Sequence, residues 1–438
     1  MLVNVDRLRS LQQNKAFKKY AIVTASTFIV LVALTFVLLM FKPKEKDMRR
    51  DTEASESDTI GTTTPMATSS SDSDTIGTTT PMATSSSDTS QFDKTPLAVI
   101  TIIREGAHAP KEFKKEETRL SYPNLENELT DLGINDSFEL GRYLGKRYVE
   151  SGFLRKPLLP SEVYFRSRSS SKHLHSAALV GSGMWAGEDG QFTAVPIFSE
   201  EENDEIIRSP EEMLCDWIAG IYTHNCEGIE EARDDFKQFN TLYECFYPNT
   251  PIPYEDEEKF ARVVDLGYKY ENGMAVPEWF NDVSEQLYKF NDKAYSFWYC
   301  ANDFRNLRVL TSLQGPFLSR ILDELLEQWN EYEDFGSVRR KFIAYFVEDY
   351  LLFTMLHALG CGKAALGERF PKYSAILMLE LYKRNEEPVV KLLYKEKTMT
   401  SPVDITRNIR GCCSTPCDYE KLADYCWDIR VNYDDRCG

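Results

Sequence analysis

The sequence is short of positive charge. Against 69 acidic residues it carries 51 Lys and Arg, a formal net charge of -18 at pH 7, so it offers no general electrostatic attraction to nucleic acid or to an anionic membrane surface. Any phosphate-bearing ligand therefore needs a local positive pocket. Zinc-ribbon spacing is also missing. The ten cysteines form no CxxC pair, and the late group Cys412, Cys413, Cys417, Cys426 and Cys437 has no histidine in it, so a structural zinc, or any other metal or cofactor, is not expected. An even cysteine count suits disulfides in an oxidising compartment, with a pairing that cannot be read from sequence.

What is present first is a long hydrophobic run. AIVTASTFIVLVALTFVLLMF follows Tyr20 without a charge, long enough to cross ~30 Å of hydrocarbon as a helix. Residues 20–41 read as a single transmembrane anchor rather than a cleaved signal, whose apolar region is shorter. Arg7, Arg9, Lys15, Lys18 and Lys19 on one side are matched by Lys42, Lys44, Lys46, Arg49 and Arg50 on the other, so the positive-inside rule does not orient it. The cysteines break the tie: residues 1–19 are expected as a short cytosolic tail, and the bulk as luminal or extracellular, at the plasma membrane or an endomembrane. After the anchor, SDTIGTTTPMATSSSD at Ser57–Asp72 repeats letter for letter at Ser73–Asp88. Such Ser/Thr-rich sequence buries too little apolar surface to fold, so residues 42–94 are expected to form a disordered, O-glycosylated stalk. Asn135-Asp136-Ser137 is an N-glycosylation pattern.

From residue 95 to 438 the texture is that of a folded α/β domain. LAVITII, Leu97 to Ile103, is a continuous apolar, β-branched run, the mark of a strand covered on both faces. EVYFRS, FTAVPIF, FIAYFVED and ILMLELYKR read as further strands, and Leu132, Phe138, Leu140, Leu144 and Tyr148 fall near helical spacing. The alternation predicts a mainly parallel sheet flanked by helices. The acidic, aromatic stretch 199–320 reads as a helical cap insertion.

Ligands of open α/β sheets sit at the carboxyl ends of strands. Arg104 to Pro110, Arg166 and Glu348-Asp349 all lie at such ends. Together these segments resemble the histidine acid phosphatases of the histidine phosphatase superfamily. Where that family has R-H-G-x-R-x-P, this chain has R-E-G-A-H-A-P from Arg104. Leu129-Thr130, Gly133, Leu140-Gly141, Leu144 and Arg147-Tyr148 fit the family's following helix, VYFRS its strand bearing a third arginine, GPFLSRIL its Gly-Pro helix, and VEDYLLFTMLHALG its His-Asp segment. The resemblance implies a nucleophilic histidine, three arginines and a second histidine around the phosphoryl group, and an aspartate that protonates the leaving oxygen. It also implies a homodimer as one option.

Carried over by position, Arg104, Arg166 and Asp349 are kept. Glu105 stands at the nucleophile position, His108 at the second arginine and Glu348 at the second histidine, while Lys172-His173 replaces an Arg-Thr pair. With His108 neutral, the pocket moves by three charge units toward negative. One like-charge contact at ~4 Å and an effective dielectric of ~20 costs about 4 kcal/mol. The expectation is thus a membrane-anchored, catalytically silent phosphatase fold that binds a protein partner or a phosphomonoester, with Arg104 and Arg166 neutralising Glu105 and Glu348. The alternatives are an active acid phosphatase with an atypical site, and a divalent-metal site at Glu105, His108, Glu348 and Asp349.

Overall fold

A computed structural model describes residues 95–430 apart from 111–115, 123–124, 188–192, 201–206, 208–264, 368, 398 and 410. The expected tail, anchor and stalk lie outside the described residues, as does most of the cap before residue 265. Among the described residues no helix is long and apolar enough to cross a membrane.

The fold grows from the apolar run. β1 (Ala98–Arg104) is buried along its whole length, and its alternate side chains enter two cores: Val99 and Ile103 on one face, Ile100 and Ile102 on the other. A strand buried on both sides needs helices on both sides. The first face is covered by α1 (Asp131–Leu144) and α2 (Ser171–Met184), whose Leu140, Leu144 and Val180 share a core with Phe165, Phe342 and Met378. Past residue 264, α3 (Glu278–Trp298) leads into α4 (Leu307–Phe335). The second face is covered by α4 together with α5 (Asp349–Ala358), through Phe317, Ile321, Leu351 and Leu352 against Ile343 and Tyr345. The expected cap boundary at 320 thus falls inside α4, a helix of the central domain. Within the cap, Leu266, Phe280 and Leu287 form a separate small core.

With β2 (Val163–Ser167), β3 (Ile197–Phe198), β4 (Phe342–Val347), β5 (Ile376–Arg384), β6 (Glu387–Lys395), β7 (Val403–Asp404) and β8 (Cys417–Asp418), the sheet order is β3-β2-β4-β1-β5-β6-β7, and β8 pairs with β6. The expectation of a mainly parallel sheet is corrected to a mixed one. β3, β2, β4 and β1 run parallel, whereas β5 to β8 are antiparallel. Between β5 and β6 the cause is local: Asn385 and Glu386 take φ of 54° and 66°, and a two-residue turn with both φ positive closes a hairpin. Among the described residues of FTAVPIF, Ile197–Phe198 form the strand.

The Arg-Tyr pair of the α1 motif has a structural task. Past α1 the chain makes one π turn, Gly145–Val149, which carries the Arg147 guanidinium and the Tyr148 hydroxyl to 2.6 Å from Glu380 Oε1. Glu380 is a carboxylate buried in β5, and these donors satisfy it.

Candidate functional site

Register brings the site together. Arg104 lies opposite Val347 and Ser167 opposite Phe346, so three parallel strands end level and release Glu105, Arg168 and Glu348 at one edge. The loop after β1 is pinned by the start of α1. Thr130 caps that helix by accepting from Gly133 N at 3.3 Å, and its own N–H donates to Ala107 O at 3.0 Å. A Cβ on Gly133 would lie 1.9 Å from Ala107 O, so this approach of loop to helix requires glycine.

Glu105, 1 % exposed, is the centre of the cluster. Lys172 Nζ lies 3.1 Å from Glu105 Oε1, 3.3 Å from Glu348 Oε2 and 3.2 Å from His108 Nε2. Arg168 Nη1 reaches Glu348 Oε1 at 3.0 Å. On the other side of both carboxylates, His173 Nε2 stands 3.6 Å from Glu105 Oε2 and 3.7 Å from Glu348 Oε1. His108 directs Nδ1 at Ala109 O, 2.8 Å away, and Nε2 toward Glu105 Oε1 at 3.4 Å. Beside this cluster Arg104 pairs with Asp349 Oδ2 at 3.2 Å, donates to Pro371 O, and lies 4.1 Å over the Tyr373 ring.

Of the expected residues, then, Glu105, His108 and Glu348 form one cluster and Arg104 and Asp349 an adjoining pair. Arg166 pairs with Glu200 Oε2 at 2.6 Å. The expected pairing of Arg104 and Arg166 with the two glutamates is corrected: the cations hydrogen-bonded to Glu105 and Glu348 are Lys172 and Arg168. Neither Arg168 nor a role for Lys172-His173 follows from the motif positions. A signal was present, because Lys172 and His173 occupy the first turn of α2. A lysine is disfavoured at that end of a helix dipole unless carboxylates face it.

The electrostatics follow from this packing. Burial pushes the Glu105 carboxyl up, but Lys172, then His108, His173 and Arg104, more than reverse it and hold it well below the usual carboxylate range. Glu348 is pushed up by burial and by Glu105, yet His173, Lys172 and Arg168 bring it below normal. Burial opposes the Lys172 charge, and Glu105, Glu348 and Asp349 outweigh it, so its pKa rises. Burial dominates at His173, lowering it to about 4 despite two carboxylates, so the ring is neutral at pH 7. Asp349 is pushed up by burial and drawn down by Arg104, and the charges of Glu105 and Glu348 tip it upward. At neutral pH the cations Arg104, Arg168 and Lys172 balance the anions Glu105, Glu348 and Asp349.

A cavity of about 910 Å³ opens beside Arg104, lined by Tyr270, Tyr288, Lys289, Arg369, Lys372 and Tyr373 among others, with Asp292 and Glu271 interspersed. Its charge is mixed. Among the described residues, the group with the donor set and spacing to hold a metal ion is Glu105, His173 and Glu348.

Comparison with known proteins agrees with this architecture. Residues 83–395 match the model of the histidine phosphatase superfamily (branch 2). The chain is 25% identical over 340 residues to lysophosphatidic acid phosphatase type 6 of Mus musculus, covering 76% of this chain and 74% of that one. It is 24% identical over 337 residues to prostatic acid phosphatase of Bos taurus, covering 72% and 80%. Among solved structures, the phytase of Citrobacter braakii superposes with a TM-score of 0.55 at 13% identity, covering 78% of this chain and 99% of that one. At that identity the likeness speaks for the fold alone.

Proposed function

The chain belongs to the histidine phosphatase superfamily (branch 2), and from that premise we propose that it is a membrane-anchored, catalytically silent member that acts by binding. One observation carries the reading. Lys172 Nζ sits 3.1 and 3.3 Å from the carboxylates of Glu105 and Glu348, the positions of the nucleophile and of the second histidine. A phosphate dianion entering there meets two anions whose cations are already engaged, and no imidazole stands at the position from which attack is made. The disulfide Cys412–Cys417 supports a luminal or extracellular setting, and residues 20–41 serve as the anchor. The partner is a protein or a phosphomonoester held at the cavity beside Arg104.

The second reading, an acid phosphatase with an atypical site, is favoured by Asp349. Its raised pKa beside Arg104 suits a proton donor. The deciding measurement is turnover of an aryl phosphate by the purified full-length chain at acid pH. The expected result is no turnover above buffer, and restoration by Glu105→His, His108→Arg and Glu348→His combined with Lys172→Arg and His173→Thr. Turnover that Glu105→Ala abolishes overturns the proposal.

A further inference from the structure

The side of the carboxylate cluster away from Lys172 is chemically incomplete. Lys172 engages Glu105 Oε1 and Glu348 Oε2, and Arg168 engages Glu348 Oε1, which leaves Glu105 Oε2 without a cation where it and Glu348 Oε1 face His173 Nε2. His173 is 0% exposed and Glu105 1%, and among the described residues neither His173 Nε2 nor Glu105 Oε2 has a hydrogen-bond partner. Burying two such atoms against each other is costly unless a cation joins them.

We propose that Glu105, His173 and Glu348 form a binding site for a divalent transition ion of the zinc type. The separations fit. Zinc bonds of 2.0–2.2 Å at tetrahedral angles place neighbouring ligand atoms about 3.3–3.6 Å apart, and the observed separations from His173 Nε2 are 3.6 and 3.7 Å. The ligand atoms all lie within 4.8 Å of one another, and drawing the two carboxylate oxygens together closes the site. The supporting shell is in place as well. With its proton on Nδ1, His173 donates to Ser170 Oγ at 2.5 Å and turns the Nε2 lone pair to the ion. Arg168 and Lys172 hydrogen-bond the two carboxylates, as the outer partners of metal-ligating carboxylates do. One imidazole and two carboxylates suit zinc better than magnesium, which prefers oxygen and retained water. Three protein ligands leave a fourth position open to water or to a ligand. The ligand set differs from the one the sequence suggested: His173 takes the place of His108, which turns its Nδ1 to Ala109 O, and Asp349 is paired with Arg104. It also replaces the expectation of no metal. The proposal goes beyond the functional reading above, and its test involves no phosphate turnover.

The test is competition of the metal-stripped full-length chain with a fluorescent zinc chelator at pH 7. One ion is expected to bind, and an equal concentration of Mg²⁺ should not displace it. His173→Ala should weaken binding by far more than tenfold, and Ser170→Ala, which leaves the carboxylates untouched, by about 10–100-fold. Co²⁺ in the same site should absorb without a thiolate charge-transfer band. Zinc affinity unmoved by both Ser170→Ala and His173→Ala, or a Co²⁺ spectrum showing thiolate ligation alone, overturns the proposal.

Discussion

Removing the Lys172 ammonium tests the electrostatic account of the pocket most directly. In Lys172→Met the stem is replaced by one of similar length, so the main loss is charge. Contacts of 3.1 and 3.3 Å to two carboxylates are each worth about 5 kcal/mol at an effective dielectric of ~20, before desolvation is subtracted. Breaking a buried ion pair by deleting one partner costs roughly 3–5 kcal/mol net. Here the loss falls toward the upper end, because Glu105 and Glu348 then face each other with less compensation. At about 2–4 °C per kcal/mol for a domain of this order of size, the melting temperature should fall by roughly 6 °C or more. The pH dependence gives the sign. Lys172 helps to depress both carboxyl pKa values below the ordinary 4.5, so its contribution is fully present above that pH and fades as pH falls through the folded-state values. The gap between wild type and variant, measured by urea unfolding, should therefore be widest near pH 7 and narrow in acid. In a Glu105→Gln background the same substitution should cost much less, a coupling that a double-mutant cycle reads out. A loss under about 1 kcal/mol at pH 7, or an equal loss in both backgrounds, refutes the reasoning.

Two further outcomes are expected. Gly133→Ala should cost about 3 kcal/mol in urea unfolding, since its Cβ falls 1.9 Å from a backbone carbonyl with no flexible side chain to yield; a neutral result contradicts the packing of loop on helix. Burial lowers the pKa of His357, on α5, from 6.5 to about 4. Above pH 6.5 it is neutral folded or unfolded, but between 6.5 and 4 the unfolded chain gains a proton that the folded chain refuses, so stability should fall by about 3 kcal/mol across that window. His357→Leu should remove that share of the limb and leave the part due to His173, whose pKa burial also lowers to about 4.

The sequence carried the central half of the fold because its strands announce themselves. β4 is apolar throughout and β1 is so but for Thr101 and its last residue, Arg104, and the Arg104 to Pro110 loop with the Thr130 cap and Gly133 fixes where β1 ends relative to α1. The antiparallel half was less legible. ILMLELYKR shows a strand but not the direction of its neighbour, and Asn-Glu is an uncommon choice for a hairpin turn with both φ positive. In the site, Arg104, Glu105, His108, Glu348 and Asp349 were legible as positions, and their partners were not. Lys172 meets Glu348 across 176 residues of chain, and local spacing says nothing about such a contact. Arg168 was hidden for another reason: one residue past β2, it looks like a solvated strand terminus, yet it is buried against Glu348. The motif positions assign charges to the motif's own arginines, whereas the cations on the two glutamates come from the loop after β2, Arg168, and from the first turn of α2, Lys172.

The balance of Arg104, Arg168 and Lys172 against Glu105, Glu348 and Asp349 also bears on which mutational paths are open to this chain. Changing Glu105 alone to histidine removes an anion and leaves Lys172 under-compensated in a dry pocket. Changing Lys172 alone strands two carboxylates. Each first step costs a sizeable part of the roughly 5–15 kcal/mol by which a domain is folded, and the loss is recovered only when its counterpart changes too. The pocket is therefore buffered against single changes: its charge pattern is held by coupled pairs, and a substitution on one side keeps the fold only when its counterpart changes too.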